Sequence, residues 1–212
     1  SCIPDDKKKQ LVQLLAKKEI PLIEDDIYGE MYFGKNRPKT CKSFDRKGLV
    51  LHCGSFSKSL APGYRVGWVI PGRFKDRVIS LKRMNNISTN TLAQTSIAHF
   101  LQKGRYELHL RNLRKSLHTQ SLNYLQAMNE YFPEDTKVTR PQGGFVLWVE
   151  MNKKIDGYKL HKRALKHGIG IAPGQIFSSS QQFRNYFRLS YGMPFHEKAW
   201  KGIKLLGELM RS

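Results

Sequence analysis

The spacing of apolar residues predicts that the chain opens with a helix and continues with strands. Leu11, Leu14 and Leu15 recur at helical spacing within KKKQLVQLLAKKE, behind an acidic Asp-Asp pair suited to a helix start. Short buried strands are then predicted for IPLIEDD, GLVLHCGS and YRVGWVIPG, and helices for GRFKDRVISLKRM and TLAQTSIAHFLQKG. This order predicts part of a layered α/β sheet, which we expect to be incomplete because the chain begins inside it.

A long helical pattern follows Gly104 and is closed by Pro133. Beyond it, strands are predicted for GGFVLWVEM, GIGIAP and YFRLSYG, and helices for YKLHKRALKHG and KAWKGIKLLGELM. These elements predict a small α+β unit joined to the first part of the chain by the long helix. We therefore expect two domains, residues 1–112 and residues 113–212.

The charge balance is extreme, with 37 Lys and Arg against 17 Asp and Glu, a formal net charge of +20. Such a balance favours polyanionic partners, nucleic acid first. The basic residues are scattered between the apolar positions of helical patterns, however, which is typical of solvated helix faces. The sequence therefore gives little support to a dedicated nucleic-acid module.

Other compositional features favour a folded protein of the cytoplasm. The three cysteines, Cys2, Cys41 and Cys53, are an odd number without CxxC spacing, so neither a disulfide framework nor a zinc site is predicted. The longest apolar runs are only a few residues, and the first ten residues have no stretch of signal-peptide type. We expect no metal and no membrane partner.

Two segments place polar side chains where predicted strands end. IEDDIYGE contains Asp25 and Tyr28, and GSFSKSLAPGYR contributes a lysine with hydroxyl and guanidinium neighbours: Ser55, Ser57, Lys58 and Arg65. In open α/β sheets, ligands bind outside the carboxyl ends of the strands. Pyridoxal phosphate needs this set of groups: an amine for its aldehyde, hydroxyls and a guanidinium for its phosphate, and a carboxylate for its ring nitrogen.

The stretch SFSKSLAPGYRVGW resembles the lysine signature of fold-type I, class I/II aminotransferases, S-x-[SA]-K-x-x-x-P-G-x-R-x-G, and EDDIY resembles their D-x-x-Y element. The resemblance implies an α/β protein: the C-terminal part of the PLP-dependent transferase (aspartate aminotransferase-like) fold, with an incomplete large PLP-binding domain plus a small α+β domain.

The same resemblance implies a role for each residue. Lys58 forms the Schiff base with pyridoxal 5'-phosphate (PLP) and later moves the proton, while Ser55, Ser57 and Arg65 hold the phosphate. Asp25 binds the pyridine nitrogen and Tyr28 the phenolic oxygen of the ring.

Near the C-terminus, FRLSYG resembles the strand whose arginine clamps the substrate carboxylate, which assigns that role to Arg188. RPQGGFVLWVE resembles the small-domain strand after the long helix, where Gly143 and Gly144 allow the backbone close to the substrate.

Each assignment has a structural alternative. Asp25 could cap a turn while Asp26 takes its place in the site, and Tyr28 could be a packing aromatic. Arg65 could be a surface ion-pair partner. Arg188 could extend from a strand edge, although burying an arginine without an anion is costly.

Family members carry a preceding segment with a phosphate-binding glycine turn, an aromatic that stacks on the ring and an N-P-x-G-like motif, none of which occurs here. We therefore expect the chain to be the C-terminal part of a larger protein, binding the cofactor weakly or not at all by itself.

Two classes of larger protein are consistent with these residues. The segments RPQGGFVLWVE, GIGIAPGQIFSS and GRYELHLRNLRKSL resemble effector domains of MocR-type regulators of the GntR superfamily, in which an N-terminal winged helix-turn-helix domain binds DNA. Such a protein senses or transaminates an amino acid or amine. The alternative is a free-standing class I/II aminotransferase. In either case we expect a homodimer.

Overall fold

The structure is a computed structural model that describes residues 2–180 and 182–212. The chain forms two compact units, Ser1–Arg114 and Lys115–Ser212, and each is considered by itself below. The prediction of two domains at 1–112 and 113–212 concerns the architecture of the larger protein and stays a prediction.

The first unit is built on a mixed three-stranded sheet with strand order β1-β2-β3. Its strands are β1 (Leu22–Asp25), β2 (Val50–Ser55) and β3 (Gly67–Ile70), and its helices are α1 (Asp5–Lys17), α2 (Lys75–Asn85), α3 (Thr91–Gln102) and the first part of α4 (Tyr106–Tyr131). β1 pairs with β2 in parallel, and β2 pairs with β3 antiparallel. Both carboxyl ends of the parallel pair therefore lie at one edge of the sheet.

A small apolar cluster joins α1 to this sheet. Val12 of α1, Cys41 of a short 3-10 turn and Val50 of β2 are buried together, with Leu22 and Phe44 packed against them. The predicted face of α1 was partly wrong: Val12 is the buried residue of the apolar stripe, whereas Leu14 is 54 % exposed. The cause is the phase of the helix, because Val12 rather than Leu14 points at β2.

The prediction that YRVGWVIPG is a buried strand was also wrong. All four residues of β3 are exposed, and the strand lies at one edge of the sheet. Trp68 of this strand packs against Phe56, with 4.9 Å between the two ring centroids. An apolar run alone could not distinguish this strand from a buried one.

The second unit packs helices against one face of an antiparallel sheet with strand order β4-β5-β7-β6. Its strands are β4 (Lys137–Val138), β5 (Val146–Glu150), β6 (Ala172–Pro173) and β7 (Tyr186–Ser190), and its helices are the rest of α4, α5 (Gly157–Leu165) and α6 (Glu197–Arg211). Alternate residues of the central strands are fully buried: Leu147, Val149 and Phe187. The α+β unit predicted from the sequence is therefore present.

The opposite face of this sheet is aromatic and partly open. Trp148 of β5 packs its ring against Phe177, Phe183 and Tyr186 at centroid distances of 5.5, 5.7 and 5.6 Å. Tyr191, at the end of β7, is buried and donates its hydroxyl to the Gly144 carbonyl oxygen at 3.0 Å. Burial raises the pKa of that hydroxyl, so Tyr191 stays a neutral donor.

The described residues contain neither a membrane-spanning helix nor a cluster of metal ligands. No helix there is both long and apolar enough to span a membrane. No group of His, Cys, Asp and Glu side chains in the same residues is arranged to hold a metal ion.

Candidate functional site

Three of the predicted site residues form one hydrogen-bonded group just after β2. The Ser55 hydroxyl lies 2.9 Å from the Ser57 hydroxyl and accepts from the Ser57 amide at 3.0 Å. The Arg65 guanidinium donates to the Ser57 hydroxyl at 3.3 Å. Two hydroxyls and a guanidinium around one position form a donor set suited to a phosphate group.

The backbone of Arg65 has a left-handed conformation, with φ 55° and ψ 36°. Few side chains adopt that region without a steric penalty. The conformation turns the chain from the 3-10 turn Pro62–Tyr64 back towards β3, so that the guanidinium reaches Ser57. The strained residue therefore coincides with the candidate phosphate site.

Lys58 lies in the turn between these groups and is exposed, while its neighbour Ser59 is 2 % exposed. The Ser59 hydroxyl lies 2.9 Å from the Tyr106 hydroxyl, and the Ser59 carbonyl oxygen lies 2.7 Å from Nε2 of His109. Burial raises the pKa of Tyr106. The start of α4 therefore anchors the turn that presents the lysine.

Asp25 is the last residue of β1 and pairs in register with Cys53, two residues before Ser55. The two strands run parallel, so Asp25 lies at the same edge of the sheet as the Ser55 group. Burial, and after it the Asp25 charge, raises the pKa of the Cys53 thiol, which is consistent with the two side chains facing the same side.

The three consecutive acidic residues of this segment have different surroundings. Glu24 faces the opposite side of the sheet, where its carboxylate accepts from the amides of Cys41 and Lys42 at 2.6 and 3.0 Å. Asp26 is bound to Arg37, at 2.6 Å. Asp25 is exposed at the sheet edge and is the carboxylate best placed to meet a ligand.

Glu24 also contacts His52, at 3.2 Å between carboxylate oxygen and Nδ1. Burial opposes ionisation of Glu24, but the two backbone amides and His52 outweigh it and lower the pKa of the carboxyl group. His52 lies within the strand predicted for GLVLHCGS. Its partner lies 28 positions away, so no local motif could identify the pair.

Tyr28 lies three residues beyond Asp25 in a turn, and its side chain is 38 % exposed. The turn is closed by backbone hydrogen bonds from the Gly29 amide to the Asp26 carbonyl, and from the Met31 amide to the Tyr28 carbonyl, both of 3.0 Å. The phenol is therefore presented from a defined turn close to the sheet edge.

Arg188 lies in the second unit, on β7, between Trp148 of β5 and Ala172 of β6. It is exposed, with its guanidinium carbon 4.8 Å from the centre of the Phe177 ring. Alternate residues of β7, Arg188 among them, face the open side of the sheet. Exposure leaves the planar guanidinium accessible to a carboxylate.

Three side chains that hold the site residues in place could not be identified from the sequence. Arg37, Tyr106 and His109 all act through contacts between residues distant in sequence. These roles depend on tertiary packing and leave no signal in one sequence.

The chain is similar to known proteins over nearly all its length. Residues 2–197 match the family of aminotransferases of class I and II. The chain is 38% identical over 205 residues to YdcR, an HTH-type transcriptional regulator of Escherichia coli (strain K12), a match that covers 97% of this chain and 44% of YdcR.

Solved structures give the same result for the fold. Kynurenine aminotransferase of Pyrococcus horikoshii, solved with PMP, has a TM-score of 0.91 at 32% identity and is matched over 99% of this chain and 52% of its own. LysN, the alpha-aminoadipate aminotransferase of Thermus thermophilus, solved with a phosphopyridoxyl-leucine adduct, also has a TM-score of 0.91, at 29% identity, over 98% of this chain and 54% of its own.

The chain spans about half the length of the proteins it matches. Its two units together have the α/β fold of PLP-dependent aminotransferases, as the sequence predicted. The chain therefore belongs to the family of class I and II aminotransferases, whose cofactor is pyridoxal phosphate.

Proposed function

We propose that this chain is the ligand-sensing part of a transcription regulator of the MocR type, within the GntR superfamily, and binds pyridoxal phosphate through Lys58. The observation that carries the proposal is the similarity to YdcR, an HTH-type regulator, across 97% of this chain. The match covers 44% of YdcR, which leaves room for an N-terminal DNA-binding domain outside the chain.

The donor set of the first unit fits the cofactor. Ser55, Ser57 and Arg65 would hold its phosphate, because the Ser55 hydroxyl and the Arg65 guanidinium both bond to the Ser57 hydroxyl and so lie close together. Asp25 would bind the ring nitrogen and Tyr28 the phenolic oxygen. When bound, pyridoxal phosphate supplies an aldehyde that reacts with amines and a ring that accepts electrons.

The chain's own groups then have distinct tasks. The amine of Lys58 is the covalent attachment point and moves a proton at Nζ. The carboxylate of Asp25 holds the proton on the ring nitrogen, and the hydroxyl of Tyr28 donates to the phenolic oxygen. Arg188 binds the carboxylate of an amino-acid ligand through its planar guanidinium, which contact with Phe177 orients.

In this proposal, the DNA affinity of the whole protein is regulated by an amine ligand that competes with the Lys58 amine. An amine ligand bound beside Lys58 would change the affinity of the whole protein for DNA if it bound one conformation of the protein more tightly than another. We propose further that the protein is a cytoplasmic homodimer. All three cysteines, Cys2, Cys41 and Cys53, are free, which supports a reducing compartment.

The test is to reduce the full-length protein, loaded with pyridoxal phosphate, with borohydride and to map the labelled peptide. We expect the label on Lys58, and we expect Lys58→Ala to lose the visible absorption while keeping its fold. Lys35→Ala, at an exposed loop lysine of the same unit, is the matched control and should keep both absorption and label. A label on any other lysine would show that Lys58 is not the attachment point.

A free-standing aminotransferase is the second candidate. The two solved enzymes, kynurenine aminotransferase and LysN, favour it, because both match this chain with a TM-score of 0.91. The coding sequence upstream of residue 1 discriminates the two. A frame long enough only for the rest of an aminotransferase rules out the regulator, and a helix-turn-helix region supports it.

A further inference from the structure

Arg37 is bound to two carboxylates of the turn that carries Tyr28 and follows Asp25. Its Nη2 lies 2.6 Å from an oxygen of Asp26, and its Nε lies 2.9 Å from an oxygen of Glu30. Asp26 follows Asp25 directly, and Glu30 comes two residues after Tyr28. The guanidinium therefore spans the turn and fixes both of its ends.

The three side chains form a partly buried ion-pair group. Those of Arg37, Asp26 and Glu30 are 32, 22 and 35 % exposed. Burial opposes the charge on Arg37, but the two carboxylates outweigh it and raise the pKa of the guanidinium. The planar guanidinium bonds to two carboxylates at once and so fixes both the direction and the distance of each contact. The flexible ammonium of a lysine would not fix the direction.

Backbone contacts tie the same group to the sheet and to α4. The Asp26 amide donates to the Cys53 carbonyl oxygen of β2 at 2.9 Å. The Glu30 carbonyl oxygen accepts from the Arg114 guanidinium at 3.2 Å. Arg37 therefore connects a point fixed to β2 with a point fixed to α4.

Gly29 lies under the ion pair and has no room for a side chain. A Cβ on Gly29 would lie 2.4 Å from an Asp26 carboxylate oxygen and 2.6 Å from Nη2 of Arg37. Substitution of this glycine would push the guanidinium and the carboxylate apart without removing either charge. It offers a second way to perturb the same contact.

We propose that Arg37 is the positioning residue for Asp25 and Tyr28, holding carboxylate and phenol at the separation that the cofactor ring requires. This inference rests on the proposed function, in which those two side chains bind the ring nitrogen and the phenolic oxygen. Arg37 acts through Asp26 and Glu30 and has no contact with the ring in this role.

The test compares variants of the full-length protein titrated with pyridoxal phosphate. In Arg37→Gln we expect the dissociation constant of the cofactor to rise about tenfold, as expected for a weakened hydrogen bond to a charged group. The pKa of the visible chromophore should rise by up to about one unit, because Asp25 and Tyr28 both favour the anionic phenolic oxygen. Arg37→Lys keeps the positive charge but lacks the planar guanidinium. Its cofactor affinity and chromophore pKa should therefore lie between those of the wild type and those of Arg37→Gln.

The matched control is Arg73→Gln, which breaks an arginine–carboxylate pair with Glu19 elsewhere in the unit, at 2.9 Å. It should leave both the cofactor affinity and the chromophore pKa at their wild-type values. A loss of overall stability alone weakens the apparent cofactor affinity but does not raise the chromophore pKa, so the chromophore pKa is the deciding measurement.

The outcomes separate this inference from the proposed function. If Lys58→Ala keeps the absorption band, the proposed function fails. If Lys58→Ala loses the band while Arg37→Gln keeps the wild-type affinity and chromophore pKa, the positioning role alone is wrong. Where Arg37→Gln does not fold, Glu30→Gln and Gly29→Ala provide the test. A higher chromophore pKa in both variants supports the positioning role of Arg37, and an unchanged chromophore pKa in either overturns it.

Discussion

At the scale of single residues, Arg65 combines an unfavourable backbone conformation with a polar contact. An L-residue in the left-handed region costs about 1–2 kcal/mol relative to right-handed backbone. Only glycine adopts that region without this cost, yet the position carries an arginine that reaches Ser57. This pattern is expected where a side chain is needed for binding and the fold tolerates the strain.

We predict that Arg65→Gly is more stable than Arg65→Ala by about 1 kcal/mol, because both variants lose the guanidinium and only the alanine keeps the backbone strain. Both should weaken cofactor binding to the full-length protein by the same factor, about 10- to 100-fold. Urea unfolding of the two proteins measures the first effect and cofactor titration the second. Equal stabilities would show that the backbone at this position is unstrained.

The candidate phosphate-binding residues could be proposed from the sequence because they lie within one short segment, Ser55 to Arg65. A local spacing of hydroxyls, amine and guanidinium is visible without a fold. Arg37 could not be found in this way, since its partners lie 11 and 7 positions earlier and meet it only in the folded turn. The choice of Asp25 over Asp26 likewise gains support only from the ion pair that occupies Asp26.

At the scale of elements, the contact of α6 with the end of α4 depends on a glycine. A Cβ on Gly207 would lie 2.2 Å from the Tyr131 carbonyl oxygen, a backbone atom that cannot rotate away. On the other side of α6, a Cβ on Gly202 would have no atom of the described residues within 4 Å, apart from its chain neighbours and the backbone of its own helix. The two glycines therefore have opposite sensitivities although they lie in one helix.

We predict that Gly207→Ala destabilises the protein by about 1–3 kcal/mol through overpacking. Gly202→Ala should stabilise it by up to about 1 kcal/mol, because alanine favours a helix interior over glycine. Thermal unfolding of the two variants measures the difference, and the matched substitution controls for helix propensity. Stabilisation by Gly207→Ala would mean that α6 does not pack this closely.

Helices were predicted well from the sequence because their periodicity extends over many residues. Leu110, Leu117 and Met128 of α4, for example, are buried as the helical pattern requires.

Short strands were predicted less well. β4 has two residues and was missed, and the strand predicted for GIGIAP is restricted to Ala172–Pro173. Segments of this length carry too few positions for an alternation to be recognised.

At the scale of the whole molecule, the net charge of +20 is spread over several exposed helix faces. Lys75 of α2, Lys162 of α5 and Lys201 of α6 are all exposed, and they belong to both units. Scattered exposed cations attract any polyanion without selecting a sequence or a site. The charge therefore does not itself indicate a DNA-binding domain within these residues.

We predict that this chain binds duplex DNA of arbitrary sequence only weakly, and that binding is lost at moderate ionic strength as counterions replace the lysines. A titration at rising salt measures this, with a second duplex of unrelated sequence as control. Binding that persists at high salt, or that discriminates between the two duplexes, would point to a dedicated nucleic-acid site and contradict our interpretation of the charge.

The alternation of carboxylates along β1 makes the segment sensitive to length as well as to composition. Glu24 faces one side of the sheet, where it accepts from two backbone amides, and Asp25 faces the other side and is exposed. A strand that slips by one residue turns every side chain to the other face. Deleting one residue ahead of Glu24 would thus leave every acidic residue in the sequence and still exchange their tasks, so homologues of this chain should tolerate substitutions in this strand more readily than insertions or deletions.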